Sequence, residues 1–235
     1  NTGLSLLQIP AVTLANSSSG TANGTGADLY PVMLFSNAIP NETFARGFSA
    51  FYVRQWVGSR LRAGMFDDQN GLYYEYDGSN LYMVRRSSTK QLSGSANVVY
   101  NSTQILGNGT QFTSQLNPKD FIVIRGASYI ITSIVNDSVL YVQPPYRGTT
   151  GRETTVSKTV DTRVAQADWS IDPCFGTGAT GYNLDINRIQ MIYIDYSWYG
   201  AGKARFGFKN QDGEVVYAHE FIHNNLETEA YFRSG

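Results

Sequence analysis

Apolar positions along the chain come in short runs broken by turn residues, the pattern of antiparallel β-structure rather than of helices. Asp67-Asp68-Gln69-Asn70-Gly71 reads as a turn in which Asn-Gly supplies positive φ. Leu72 to Tyr76 is a short aromatic strand, Asp77-Gly78 turns again, and Leu81 to Val84 is the next strand. Near the other end, Gln190 to Tyr196 is a dense apolar strand and Gly200-Ala201-Gly202 is a turn. Ala204 to Lys209 then alternates, Asn210-Gln211-Asp212-Gly213 closes a hairpin, and Val215 to Ile222 returns. Residues 44 to 62 fit two patterns. Phe44, Phe48, Phe51 and Tyr52 suit a helix; Phe51, Val53, Val57 and Leu61 suit one strand face, with Arg54, Arg60 and Arg62 on the other. The meander that follows favours a strand from about residue 50. Ahead of this, Leu4 to Leu14 is a short apolar run and Asn16 to Gly26 a flexible loop.

Residues 89 to 160 have a different texture. Val98 to Tyr100, Phe121 to Ile124, Tyr129 to Val135, Val139 to Val142 and Thr154 to Val160 are strand-like. Turn clusters separate them at Gly107-Asn108-Gly109, Asn117 to Asp120, Gly126, Asn136-Asp137 and Gly148. Polar stretches, Ser87 to Lys90 and Ser157 to Thr159, mark both ends. The fold predicted is mainly β: an antiparallel sandwich or meander host domain (1 to 88 and 161 to 235) with a small inserted β-sandwich or barrel module at 89 to 160.

Composition narrows the class. Of 235 residues, 42% are hydrophobic and 13% aromatic, enough for a real core. Only 16% are charged, against ~25% in an average soluble domain, which suits a β-protein that assembles with others or stays outside the cell, and equally a plain all-β domain with many turns. A net charge of −1 without any Lys/Arg run argues against nucleic acid. No apolar run is long enough for a helical membrane span. The N-terminus, Asn1-Thr2-Gly3-Leu4, lacks a basic signal-peptide region, and the chain is expected to be a piece of a longer one. The single cysteine, Cys174, has apolar neighbours and is expected to be a small buried residue. Sequons at Asn16, Asn23, Asn41, Asn101, Asn108 and Asn136 are of the kind that arise freely in such a composition.

One motif invites an enzymatic reading. His219-Glu220-Phe221-Ile222-His223 has the H-E-x-x-H spacing with which a helix presents two histidines to zinc and a glutamate to water. Here the segment is the return arm of a hairpin. On a strand, residues four apart stand about 13 Å apart, at roughly 3.3 Å per residue, too far to share one ion. These are the only two histidines, and Glu227 and Glu229 follow too closely to come from a second helix. The expectation is two exposed or interfacial histidines on a strand, with no catalytic, cofactor or metal residues and no cofactor; a zinc peptidase is the remote alternative. Asp67, Asp68 and Asn70 resemble half of a calcium loop but lack its closing glutamate. Trp56, Trp169 and Trp198 could build a sugar platform, although packing is the commoner use.

The run Asp185 to Met191, continued by Tyr193 to Gly202 and Arg205-Phe206-Gly207-Phe208, resembles a segment of large virion structural proteins of tailed bacteriophages. Phe66 to Glu75 and Arg85-Arg86-Ser87-Ser88 look like the same family. Within 89 to 160, Gly109 to Phe112, Gln115-Leu116, Asp120 to Ile122, Gly126, Ser133 to Val135, Asp137-Ser138 and Tyr146 to Gly148 resemble a small β-module of phage tail, fibre and baseplate proteins. The resemblance implies a non-enzymatic scaffold of a virion, assembled in the host cytoplasm. Its partners would be other virion proteins and copies of itself, a trimer if it serves a fibre. Carbohydrate binding and capsid decoration are the alternatives.

Overall fold

The computed structural model describes residues 61–188, 190–197 and 200–231, together with the backbone of the strands at 34–35 and 44–51. The chain is mainly β. Fifteen strands are described: β1 Leu34–Phe35, β2 Phe44–Phe51, β3 Leu61–Phe66, β4 Gly71–Tyr76, β5 Leu81–Gln91, β6 Ser95–Val98, β7 Gln104–Asn108, β8 Phe121–Ile124, β9 Ala127–Asn136, β10 Val139–Gln143, β11 Gly151–Thr154, β12 Val156–Ala165, β13 Gln190–Ser197, β14 Lys203–Lys209 and β15 Val215–Ile222. A four-residue helix, α1, covers Phe112–Gln115. The strands form a five-stranded sheet ordered β1-β2-β13-β14-β15 and a ten-stranded sheet ordered β11-β6-β7-β10-β9-β8-β12-β5-β4-β3, with antiparallel pairing throughout.

The first core lies between the two sheets. Alternation sends Ala63 of β3, Leu72, Tyr74 and Tyr76 of β4, and Leu81 and Met83 of β5 to one face, where they meet Ile192 and Ile194 of β13, Phe206 and Phe208 of β14, and Ala218 and Phe221 of β15. The Tyr74 hydroxyl crosses the interface to donate to the Gly207 carbonyl at 2.7 Å, so the buried phenol keeps a partner. The second core is built within the large sheet by β6 to β12 and is largely aliphatic: Val98, Ile105, Ile122, Ile124, Ile131, Leu140 and Val142 surround Phe112 and Tyr129. Strand β12 serves both cores, with Val156 in the second and Val164 against the first, and β5 runs from the first core up to Leu92 of the second. They pair from Ala165↔Tyr82 to Ser157↔Gln91, with an irregularity between Lys158 and Val160. The ladder continues past the strand end, where the Leu92 N–H donates to Val156.

The face of β3-β4-β5 turned away from the first core carries charge. Gly64 has φ +153°, and a Cβ there would come within 2.7 Å of the Tyr73 Cβ, so only glycine lets Tyr73 lie against β3. Arg62 and Arg86 sit over the Tyr73 ring at 5.4 and 5.5 Å. Arg86 makes a bidentate pair with Asp161 at 2.7 and 2.9 Å, and Tyr73 donates to the same carboxylate. Buried Glu75 bridges Arg62 at 2.7 Å and Arg163 at 2.6 Å.

Several sequence expectations change here. The strand at 44 to 51 resolves the helix-or-strand choice in favour of strand, starting earlier than residue 50; residues 52 to 60, like the run at 4 to 14 and the loop at 16 to 26, lie outside the described residues. The polar stretches at 87 to 90 and 157 to 159, expected at the ends of the inserted module, lie inside β5 and β12, which pair with each other across the sheet. Tyr100 is in a turn rather than a strand, whereas Gln104–Asn108, whose Gly-Asn end reads as a turn, is a strand pairing both β6 and β10.

Candidate functional site

Strand β15 carries the motif that invited chemistry. A bulge opposite Phe206 and Gly207 admits Ala218 as an extra residue, after which His219, Phe221 and His223 face inward. His219 lies within the strand and His223 one residue past its end. Both are buried, with 6% of their surface exposed; the expectation of exposed or interfacial histidines is overturned. The reason is readable afterwards: Phe221 is the apolar residue of this stretch that must face the core, and period-2 alternation takes its neighbours two away with it.

His219 is held by the loop after the short 3₁₀ turn at Gln166–Asp168. The Ser170 N–H donates to His219 Nδ1 at 3.1 Å, the Ser170 hydroxyl lies 3.0 Å from the same atom, and the Glu220 N–H donates back to that hydroxyl oxygen at 3.2 Å. A backbone N–H can only donate, so Nδ1 is the acceptor and the proton resides on Nε2. The ring stands edge-to-face on Phe221, centroids 4.6 Å apart. Burial lowers its pKa to about 4, against a small opposing pull from Glu220. His223 accepts from Arg85, whose Nη1 lies 2.8 Å from Nε2 and 3.0 Å from Nδ1. Burial, then the Arg85 charge, lowers the His223 pKa, while Glu227 raises it. Arg85 is itself depressed by burial; it reaches Thr162 and stacks over Phe221.

Two neutral imidazoles on an extended strand, each occupied by a different donor, do not present the paired nitrogens that a zinc peptidase needs. Glu220 points to Lys203 at 3.0 Å rather than toward either histidine. Among the described residues no group of three or more His, Cys, Asp or Glu side chains is placed to hold a metal. Cys174 is fully buried in the first core, and burial pushes its thiol up to about 12, far from a thiolate nucleophile at neutral pH. Its neighbour Asp172 is a structural tie: it accepts from the Cys174 and Thr180 N–H groups and the Thr180 hydroxyl at 2.6 to 2.7 Å. Trp169 packs on Phe208 and donates to the Val164 carbonyl, which removes it from any exposed sugar platform; Trp56 and Trp198 lie outside the described residues.

Asp67 and Asp68 line an open cleft of about 280 Å³ between the two cores, with Gln69, Ala127, Ser128, Tyr129, Pro144 and Arg147. Asp67 is committed to its own turn, accepting from the Gln69 and Asn70 N–H groups. Gln69 crosses the cleft to the Gly126 carbonyl at 2.7 Å. Sequence reading found these aspartates as a turn and missed the cleft, because its opposite wall comes from Ala127 to Tyr129, Pro144 and Arg147, far along the chain.

The remaining ionisable clusters are strand-to-strand ties. Asp195 of β13 receives Arg205 of β14 at 2.7 and 2.8 Å and the Tyr217 hydroxyl of β15 at 2.6 Å, linking three strands with one carboxylate. No protein-family model matches the chain, and no curated protein is found similar to it.

Proposed function

We propose that the chain is a non-enzymatic structural component of a tailed-phage virion, of tail, baseplate or fibre-attachment type, that works through protein–protein assembly. Its partners are other virion proteins and further copies of itself, a trimer if it serves a fibre. The observation that carries the assembly part is an apolar strip on the outer face of the second region. Leu106 of β7 is 41% exposed and pairs directly with Val139 of β10; next to Val139, Val135 is 61% exposed at a bulge of β9. Neighbouring exposed branched side chains of this kind favour burial against another protein. The virion part rests on the sequence resemblance, whose most specific residues are Tyr193 to Gly202 and Arg205 to Phe208; of these, Ile194, Phe206 and Phe208 pack in the first core.

The test has two arms. Sedimentation of the chain at rising concentration is expected to show a closed oligomer, and Leu106→Asp with Val135→Asp is expected to return it to monomers of unchanged circular dichroism. Antibodies against the chain are expected to decorate intact tailed particles at a fixed place. A monomer at all concentrations together with undecorated particles would sink the proposal.

A further inference from the structure

The chain has two histidines, one in β15 and one just past its end, and both are buried. Each accepts a hydrogen bond from a donor that stays protonated at any ordinary pH, the Ser170 backbone N–H for one and the Arg85 guanidinium for the other. A protonated imidazole has no lone pair left on either nitrogen, so a proton removes the acceptor in both places. We propose that His219 and His223 form an acid-released latch that holds two flanking segments, 170–172 and 223–231, against the sandwich at neutral pH and frees them on acidification.

Each held segment adjoins one of these contacts. Ser170 precedes Ile171 and Asp172, whose N–H groups both donate to the Ala218 carbonyl on the edge of β15. Thus the Ser170 clamp keeps a short piece of chain lying along the edge strand of the five-stranded sheet. On the other side, Tyr231 is buried with its ring edge-to-face on His223, centroids 5.1 Å apart, and its N–H donates to Gly200.

The groups that face the two imidazoles set the direction. Around His219 stand Ser170, Phe221 and, from β14, Phe206; the nearest carboxylate, Glu220, is paired with Lys203, and the Asp172 carboxylate is turned to Cys174 and Thr180. Around His223 stand Arg85 from β5, Tyr231, and Glu227 from the turn that follows. Glu227 favours the proton; burial and Arg85 oppose it and outweigh it. Both folded values therefore lie below the ordinary imidazole value of about 6.5. Above that value the latch is closed at full strength. As pH falls below it, the released form binds protons more tightly than the closed one, so release gains up to about tenfold per pH unit from each histidine. The gain for His219 continues until about pH 4. Release uncovers the Ala218 carbonyl and the outer edge of β15, a row of backbone groups able to accept another strand.

The experiment follows the 235-residue chain by NMR from neutral to acid pH. Two histidines give two imidazole Cε1–H resonances, and each midpoint is read directly. Amide exchange, normalised to the unprotected rate, is followed at 170–172 and at 223–231. The latch requires both midpoints to lie below the ordinary imidazole value. It also requires protection at 170–172 to fall with the His219 resonance, and protection at 223–231 with the His223 resonance. His219→Asn places an amide oxygen near the position of Nδ1, and His223→Gln does the same for Arg85; each accepts without titrating. Each variant is expected to lose the acid response of its own segment alone. Protection that persists after both imidazoles are protonated would overturn the latch, as would an acid response unchanged in the matching variant or a midpoint at or above the ordinary value. Should a variant fail to fold, the wild-type coincidence of resonance and exchange decides by itself.

Discussion

The two cores share one sheet but are made of different materials. Between the sheets, aromatic rings dominate: Tyr74 lies edge-on to Phe206 and close to Phe208, and Trp169 and Tyr182 cover Phe208. Buried charges brace the same region, at Glu75, Arg86 and Asp195. The second core is aliphatic, and its turns are held by backbone and short side chains, as where Asp137 accepts from the Thr113 N–H at 2.9 Å. Its ion pair, Lys158 with Asp120, lies half-exposed at the border. The difference teaches that sheet continuity does not impose a common chemistry. One region leans on buried ionised groups and the other mainly on apolar burial, so a change of pH should shift the first more than the second.

The sharpest break of the comparison is physical. Removing residues 92 to 155 and joining Gln91 to Val156 through a short turn is expected to delete the second core except Val156. The remainder should keep the buried environments of Trp169 and both histidines, read by fluorescence and NMR. A remainder that is unfolded would make the two cores one cooperative unit. Next in size come core truncations. Phe206→Ala should cost about 3–5 kcal/mol and Ile105→Ala about 2–4 kcal/mol. If the cores unfold separately, each variant shifts one of two urea transitions and leaves the other in place. Glu75→Gln comes third. It leaves Arg62 and Arg163 facing a neutral amide on a buried site, for a loss of about 2 kcal/mol, and because the carboxylate is buried the loss should change little with salt. Last, Arg188→Ala removes a pair with Asp185 whose arginine is 78% exposed, and the urea midpoint should not move measurably.

Much of the first region was legible because its turns are chemically explicit. Asn70-Gly71 and the Asn210–Gly213 turn bound β4, β14 and β15 close to where alternation placed them, and Asp77-Gly78 precedes β5, which starts at Leu81 as expected but runs on past Val84 to Gln91. Strand β15 runs over the residues that were expected. The centre of the large sheet was not legible. Ser87, Ser88 and Thr89 carry the residue types of a loop, yet Ser88 is almost fully buried and reaches the Asn70 side chain. A polar strand crossing between two cores shows no apolar period, so local pattern cannot reveal it. The partners of the histidines were hidden for another reason. Ser170 and Arg85 are 49 and 138 positions from the rings they hold, and only the topology brings them together.

The β5–β12 pair has a mechanical consequence. No flexible connector separates the second region from the first; ten strands are hydrogen-bonded edge to edge, and this ribbon runs through the join. A load applied to the outer face of the second region is therefore delivered to the sandwich as torque rather than absorbed by swivelling. The irregularity at Lys158 to Val160 interrupts the ladder where that lever arm meets its base. Bending should concentrate at that point, and a push on the distal strands should be felt first by Arg86 and Asp161, the bidentate pair clamped across the same two strands.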